Sequence, residues 1–293
     1  MKRAASVLVP LILVLSGCAS EPSSPGPMIT DDLGRSIPQI DRAERVVSLA
    51  PGATELAFAA GMGSQLVAVT TADNYPPAVQ GLERISALPL NHEAIVALEP
   101  DLILASDQIN DPREAEALAE VGIPTYFVSV GSLPDVSRVV RALGVLFGDE
   151  VAAGQYADSL EATLQALDTS RRGDADRPSV IFLIGDDTLF SFGPESYVHD
   201  MILVAGGRSL TAEMSTEAPV LSEEFVLAAQ PEVLLTAFDP DPARLVELHP
   251  GWEAIPAIRD GRVFRIEPDL VLRDGPRLIA GTLAMRRALT AGS

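Results

Sequence analysis

The sequence predicts an α/β protein of two similar lobes, each built on a central, mostly parallel sheet and joined by one long bridging helix. Three observations carry that prediction. A 14-residue segment occurs twice, short apolar strands alternate with amphipathic helices in both halves, and one alanine-rich helical stretch separates the halves. The repeat runs over residues 92–105 (HEAIVALEPDLILA) and again over 223–236 (EEFVLAAQPEVLLT), 131 residues on and without a gap. In each copy a short helix carries an acid in its first turn, where the helix dipole favours negative charge, stops at a proline, and gives way to a buried strand.

The elements follow in order. Lys2 and Arg3 precede an apolar run over residues 4–15, and Leu15-Ser16-Gly17-Cys18 closes it. About 12 apolar residues are too few to cross a hydrocarbon core as a helix, so residues 1–17 read as a signal peptide outside the fold. Cys18 is the only cysteine, which excludes an internal disulfide and any cysteine-based metal cluster. Residues 18–28, rich in Ser, Pro and Gly, form a flexible tether.

The N-terminal lobe spans 29–148. A strand at 45–49 feeds a helix from Pro51 to near Gly61, further strands lie at 66–70, 102–105 and 125–128, and a helix over 115–121 is closed by Gly122. The bridge covers 149–173: Leu143, Val151, Tyr156, Leu160, Leu164 and Leu167 recur near helical spacing, with Asp149 at the start and Arg171, Arg172 and Gly173 at the end. A helix of about 20 residues is roughly 30 Å long, a rod that limits closure of the cleft it backs. The C-terminal lobe spans 174–293, with strands at 179–184, 233–236 and 262–266 and helices at 196–205, 222–229 and 275–290.

The net charge is −20, or −22 once Lys2 and Arg3 leave with the leader, and such a surface repels nucleic acid. Catalytic constellations are missing. The chain has three histidines, His92, His199 and His249, scattered rather than clustered as a zinc site requires. It has no nucleophile elbow, phosphate loop or dinucleotide fingerprint. Asp186-Asp187 and the segment 239–242 read as solvated turns, and His249-Pro250-Gly251-Trp252 as a loop anchored by the one tryptophan. The expectation is a binding protein with no catalytic residues, no resident metal and no cofactor.

Leu-Ser-Gly-Cys resembles the lipobox of bacterial lipoproteins, which implies lipidation at Cys18. Arg45-Val46-Val47-Ser48-Leu49-Ala50-Pro51-Gly52-Ala53-Thr54-Glu55-Leu56, Asn74-Tyr75-Pro76-Pro77, the first repeat copy and Gly275-Pro276-Arg277 together resemble the helical-backbone substrate-binding proteins of ABC importers. The resemblance extends over about residues 28–291 and is strongest to the cobalamin-binding branch. It implies a ligand in the cleft between lobes, a corrinoid with ferric siderophores and haem as the alternatives within the class. Pro51, Gly52 and Ala53 would present backbone groups to that ligand. Tyr75 and Phe190 would supply aromatic walls, and Asp269 and Arg273 polar contacts. Leu88 stands where the cobalamin branch carries a tryptophan, Leu270 replaces another, and residues 218–221 lack a third. Tyr197 with His199 is the pair that a haem iron would call on.

Glu93 and Glu224 match the acidic pair, one per lobe, that meets arginines on the transporter's membrane subunits. The resemblance thus implies a monomer anchored to the membrane through lipid alone, facing the periplasm or the exterior. Its partners would be a small-molecule ligand and the permease and ATPase subunits. An envelope sensor or scaffold lipoprotein is the alternative of a different class.

Overall fold

The computed structural model describes residues 27–40, 42–167 and 177–291. The leader, Cys18, most of the tether and residues 168–173 of the expected bridge lie outside the described residues.

The duplication read from the sequence is a duplication of structure. In the first copy α2 (His92–Ala97) leads to β6 (Leu102–Ser106), and in the second α7 (Glu223–Ala229) leads to β10 (Val233–Thr236). Asn91 and Ser222, 131 residues apart, cap the two helices by accepting from the amides of Ala94 and Phe225, each at 3.1 Å. Glu99 and Gln230 end the two helix segments in the left-handed region at φ 47° and 48°, and among the described residues they are the only non-glycines with positive φ. Asp101 accepts from the amides of Glu44 and Arg45, and its counterpart Glu232 accepts from the amide and hydroxyl of Ser179. In each lobe the acid after the proline therefore pins the start of the neighbouring parallel strand.

Those strands organise the sheets. β3 (Val46–Ser48), β4 (Leu66–Thr70), β5 (Glu83–Ile85), β6 and β7 (Thr125–Val128) form a five-stranded sheet in the order β5-β4-β3-β6-β7, all parallel. β8 (Ser179–Leu183), β9 (Arg208–Ser209), β10 and β11 (Val263–Arg265) form a four-stranded parallel sheet in the order β11-β10-β8-β9. Matching β3 to β8 and β6 to β10 superposes the two orders, with β5 added in the N-terminal lobe. Among the named strands of the described residues, only the hairpin of β1 (Met28–Thr30) and β2 (Ser36–Pro38) is antiparallel, so Met28, read as the end of the tether, already belongs to a strand.

Helices cover the sheets: α1 (Pro51–Ala59), α3 (Pro112–Glu120), α4 (Leu133–Leu146), α6 (Tyr197–Ala205), α8 (Pro242–Leu248), α9 (Pro256–Arg259) and α10 (Leu278–Thr290). The bridge is α5 (Glu150–Leu167), 18 residues and about 27 Å long at 1.5 Å per residue. Its amino end meets the N-terminal lobe, where the Asp149 amide donates to the Ala60 carbonyl, and its carboxyl end meets α10, where Arg286 donates to the Leu167 carbonyl at 2.9 Å.

The bridge agrees with the sequence expectation at Leu160 and Leu167 and departs from it at two positions. Val151 and Tyr156 are exposed, and the buried stripe is Ala153, Ala157, Leu160 and Leu167. α4 and α5 form a close hairpin in which a Cβ at Gly144 would overlap that of Ala153, so only small residues fit the contact. α4 itself is absent from the sequence reading: its valine-rich run with Pro134 in the first turn resembles a strand until the 3.6-residue burial of Leu133, Val136, Val140 and Leu143 is seen. No helix among the described residues is long and apolar enough to cross a membrane.

Candidate functional site

In the N-terminal sheet the strand order reverses at β3, and the crevice outside the carboxyl end of such a switch point is where open α/β sheets bind ligands. A cavity of about 360 Å³ lies there. Leu49, Pro51 and Gly52 after β3, Thr70–Ala72 after β4 and Ser86–Leu88 after β5 form one wall. The other comes from the C-terminal lobe after β11: Pro268, Asp269, Leu272, Arg273 and Asp274. The cavity therefore sits between the lobes.

Cross-lobe polar contacts shape the cleft. Arg273 donates from Nε to Asp269 Oδ1 at 2.9 Å and from Nη2 to the Ala72 carbonyl at 3.0 Å. Its Nη1 is buried with no hydrogen-bond partner among the described residues. Asn74 Nδ2 donates to Asp269 Oδ2 at 2.7 Å. Burial raises the Asp269 carboxyl, but the Asn74 bond and the charges of Arg273 and Arg277 outweigh it and hold the group below 3.8, hence anionic at neutral pH. The rim is thus an ion pair neutralised within itself, with the guanidinium Nη1 left without a partner among the described residues.

Behind the rim the lobes are locked. Asp274, 3% exposed, accepts from Ser106 Oγ at 2.5 Å, and burial pushes its carboxyl up. Arg277 clasps Glu55, the one acid in the apolar helix α1, with Nη2 2.6 Å from Oε1 and Nε 3.0 Å from both carboxylate oxygens. Burial pushes the Glu55 carboxyl above 4.5, the Arg277 bond and charge pulling it only part of the way back.

The expected site residues divide. Pro51, Gly52, Leu88, Asp269 and Arg273 line the cleft. Ala53 is fully buried one residue further into α1 and does not. Tyr75 is displaced from its expected place: Arg277 lies over its ring at 4.5 Å, and the ring lines a separate groove of about 420 Å³ beside α1 and α5, with Phe58 and Tyr156. The Asn74–Asp269 bond and the Arg277 stack hold it on that flank. Phe190, 46% exposed, bridges to Val220 and lines neither cavity. Tyr197 is buried against Phe192 in the core rather than presented to a ligand metal, and burial lowers the His199 imidazole pKa. Glu93 and Glu224 are exposed in the first turns of α2 and α7.

Sequence reasoning gave no role to Glu55, Ser106, Asp274 or Arg277. One signal was available, since a lone acid inside an apolar helix requires a partner.

With the cleft described, comparison with known proteins gives a consistent result. The periplasmic binding protein family matches residues 46–270. The chain belongs to the periplasmic binding protein family. It is 28% identical to the ABC transporter substrate-binding lipoprotein YvrC of Bacillus subtilis, over 96% of this chain and 95% of that one. It is 30% identical to the vitamin B12-binding protein of Pectobacterium carotovorum, over 85% of this chain and 89% of that one. Among solved structures it resembles the periplasmic heme-binding protein RhuT of Roseiflexus sp. RS-1 at 30% identity and a TM-score of 0.71, covering 84% of this chain and 98% of that one. Members of this family are the substrate-binding components of transporters and not enzymes, as the sequence led us to expect.

Proposed function

We propose that the protein captures cobalamin or a related corrinoid between its lobes and delivers it to an ABC permease, held to the membrane by a lipid on Cys18. The observation that carries the ligand choice is the self-neutralised rim. Arg273 and Asp269 cancel each other's charge and leave the guanidinium Nη1 without a partner among the described residues. Such a rim suits a neutral periphery of amides, which offer oxygen acceptors without charge. A ligand ringed by carboxylates calls instead for unpaired cations, and it would also meet the field of a chain at −20. The vitamin B12-binding relative points the same way.

Haem is the second reading, supported by the 30% identical heme-binding structure, and a ferric siderophore the third. Calorimetric titration of the chain beginning at Cys18 with cyanocobalamin, haem and ferric siderophores in parallel separates them. Saturable one-to-one binding of cyanocobalamin is the expected result. Cobalamin silence with haem or siderophore binding would move the ligand and keep the receptor, and silence throughout would favour the envelope scaffold.

A further inference from the structure

The cleft has a side chamber. A second cavity, of about 170 Å³, shares Leu49, Ala87, Leu88 and Ile109 with the inter-lobe cavity and runs from it beneath α3. Leu49, Leu90, Ala105, Ala115, Leu118 and Phe127 make most of its wall apolar, and Asn110, Asp111, Glu114 and Thr125 supply its polar part. Two small side chains make the room, Ala105 on β6 and Ala115 on α3; with Phe127 they form a minor core cluster separate from the larger cores of the lobe. Its volume is close to the ~150 Å³ of an engineered leucine- and phenylalanine-lined cavity that stays dry and binds benzene. Leu88, 72% exposed, stands at the junction of the two cavities.

Asp111 and Glu114 are partly exposed, and Glu114 lies beside His92, whereas two buried polar groups without partners lie on the walls of the two cavities. Arg273, whose buried Nη1 has no partner among the described residues, lines the main cleft, and Thr125, whose Oγ1 is likewise buried and unpartnered, lines the chamber. Asn110 accepts from the Ser106 amide and donates to the Leu49 carbonyl, which fixes its side chain at the chamber wall. An oxygen acceptor at Arg273 and an apolar group in the chamber are therefore the complementary features.

We propose that the side chamber is a specificity subsite for an apolar arm of the ligand, a short alkyl chain or a single six-membered ring, while a neutral oxygen of the same ligand accepts from Arg273. This rests on the reading of the cleft as a ligand site and adds to it the shape of what enters: a ligand with a bare polar periphery leaves the chamber unfilled, and one with an apolar substituent on that side is preferred. Leu88 acts as the sill over which the arm passes.

Primary n-alkanamides test this without knowledge of the natural ligand. Propanamide, butanamide, pentanamide and hexanamide are titrated into the full chain, followed by the methyl resonances of Ala105 and Ala115. The expected result is a dissociation constant that falls about fourfold per added methylene, as burial of a CH2 predicts. In Ala115→Phe, which fills the chamber, the dependence on chain length disappears while propanamide binding persists. Equal dissociation constants along the series, or a slope that survives in folded Ala115→Phe, would overturn the proposal. If that variant does not fold, benzene decides with the unaltered chain: it shifts the Ala105 and Ala115 methyls if the chamber is a binding site, and leaves them in place if it is not. Failure of cyanocobalamin, haem and siderophores to bind would remove the proposed function yet leave the alkanamide slope readable, so the two failures are distinguishable.

Discussion

Asp274 of the C-terminal lobe occupies space that exists only because residue 52 of the N-terminal lobe has no side chain. A Cβ built on Gly52 would overlap Asp274 Oδ1, while the other carboxylate oxygen accepts from Ser106. The family resemblance assigns Gly52 to the ligand, and the structure gives it a second task, close approach of the lobes. Gly52→Ala is expected to lower stability by about 1–3 kcal/mol, the range for overpacking a tight site. Urea unfolding checks it: a loss under about 0.5 kcal/mol would mean that the lobes part freely and the contact is incidental.

The same carboxyl makes stability depend on pH. Burial raises the Asp274 pKa from 3.8 in the folded state, with the Ser106 bond pulling the other way. Between 3.8 and the raised value the native state holds a proton that the unfolded chain has released. This group's contribution is therefore complete below 3.8 and is lost as pH rises through the folded pKa. Asp274→Asn keeps the shape and the bond to Ser106 without the charge. It should match the parent near pH 4, exceed it at pH 7, and lose that part of the pH slope in chemical unfolding. A variant less stable at pH 7 with an unchanged slope would show that the anion is favoured here.

Much of this was legible in the sequence, for reasons tied to particular residues. The repeat could be read because the acid, the proline and the apolar strand recur in register, and the structure adds that Glu99 and Gln230 share even their left-handed conformation. The cleft residues on either side of a strand end, such as Pro51 and Asp269, could be placed by resemblance alone. Tyr75 could not, because its position is set by Arg277, about two hundred residues away, through a cation–π contact that no local pattern encodes. The stripe on α5 was legible in part: Leu160 and Leu167 are buried, whereas Val151 and Tyr156 are exposed and the close packing against Gly144 selects Ala153.

Arg277 and Glu55 form the other lock between the lobes, with side chains 18% and 1% exposed. Removing one partner strands the other. Arg277→Met is expected to cost about 3 kcal/mol, the lower end for breaking a buried pair, because the arginine keeps some solvent. Adding Glu55→Met should recover most of that loss, since two apolar groups of similar volume need no partner. A double variant as unstable as the single one, by thermal and urea unfolding, would show that the stacking of Arg277 on Tyr75 carries the energy instead.

Glu93 and Glu224 bear on docking rather than on the cleft. They occupy equivalent repeat positions in the first turns of two equivalent helices and are both exposed, a pseudo-two-fold pair of charges suited to a two-fold partner. The residue before each lies beside a group of its own lobe: His92 Nε2 is 2.7 Å from Glu114 Oε2, and His249 Nδ1 is 3.1 Å from Glu223 Oε1. Glu224 is held below the ordinary carboxylate range by its own backbone N–H and by Ser222, so it stays charged in mild acid. Glu93→Arg with Glu224→Arg is expected to abolish ligand-stimulated ATP hydrolysis by the reconstituted importer and to leave ligand affinity unchanged, with each single change giving a partial and similar loss. Added salt should weaken docking of the parent by screening these exposed charges. Full stimulation by the double variant would reduce both glutamates to helix-start acids, and loss of ligand affinity would mean that the substitutions reach the cleft.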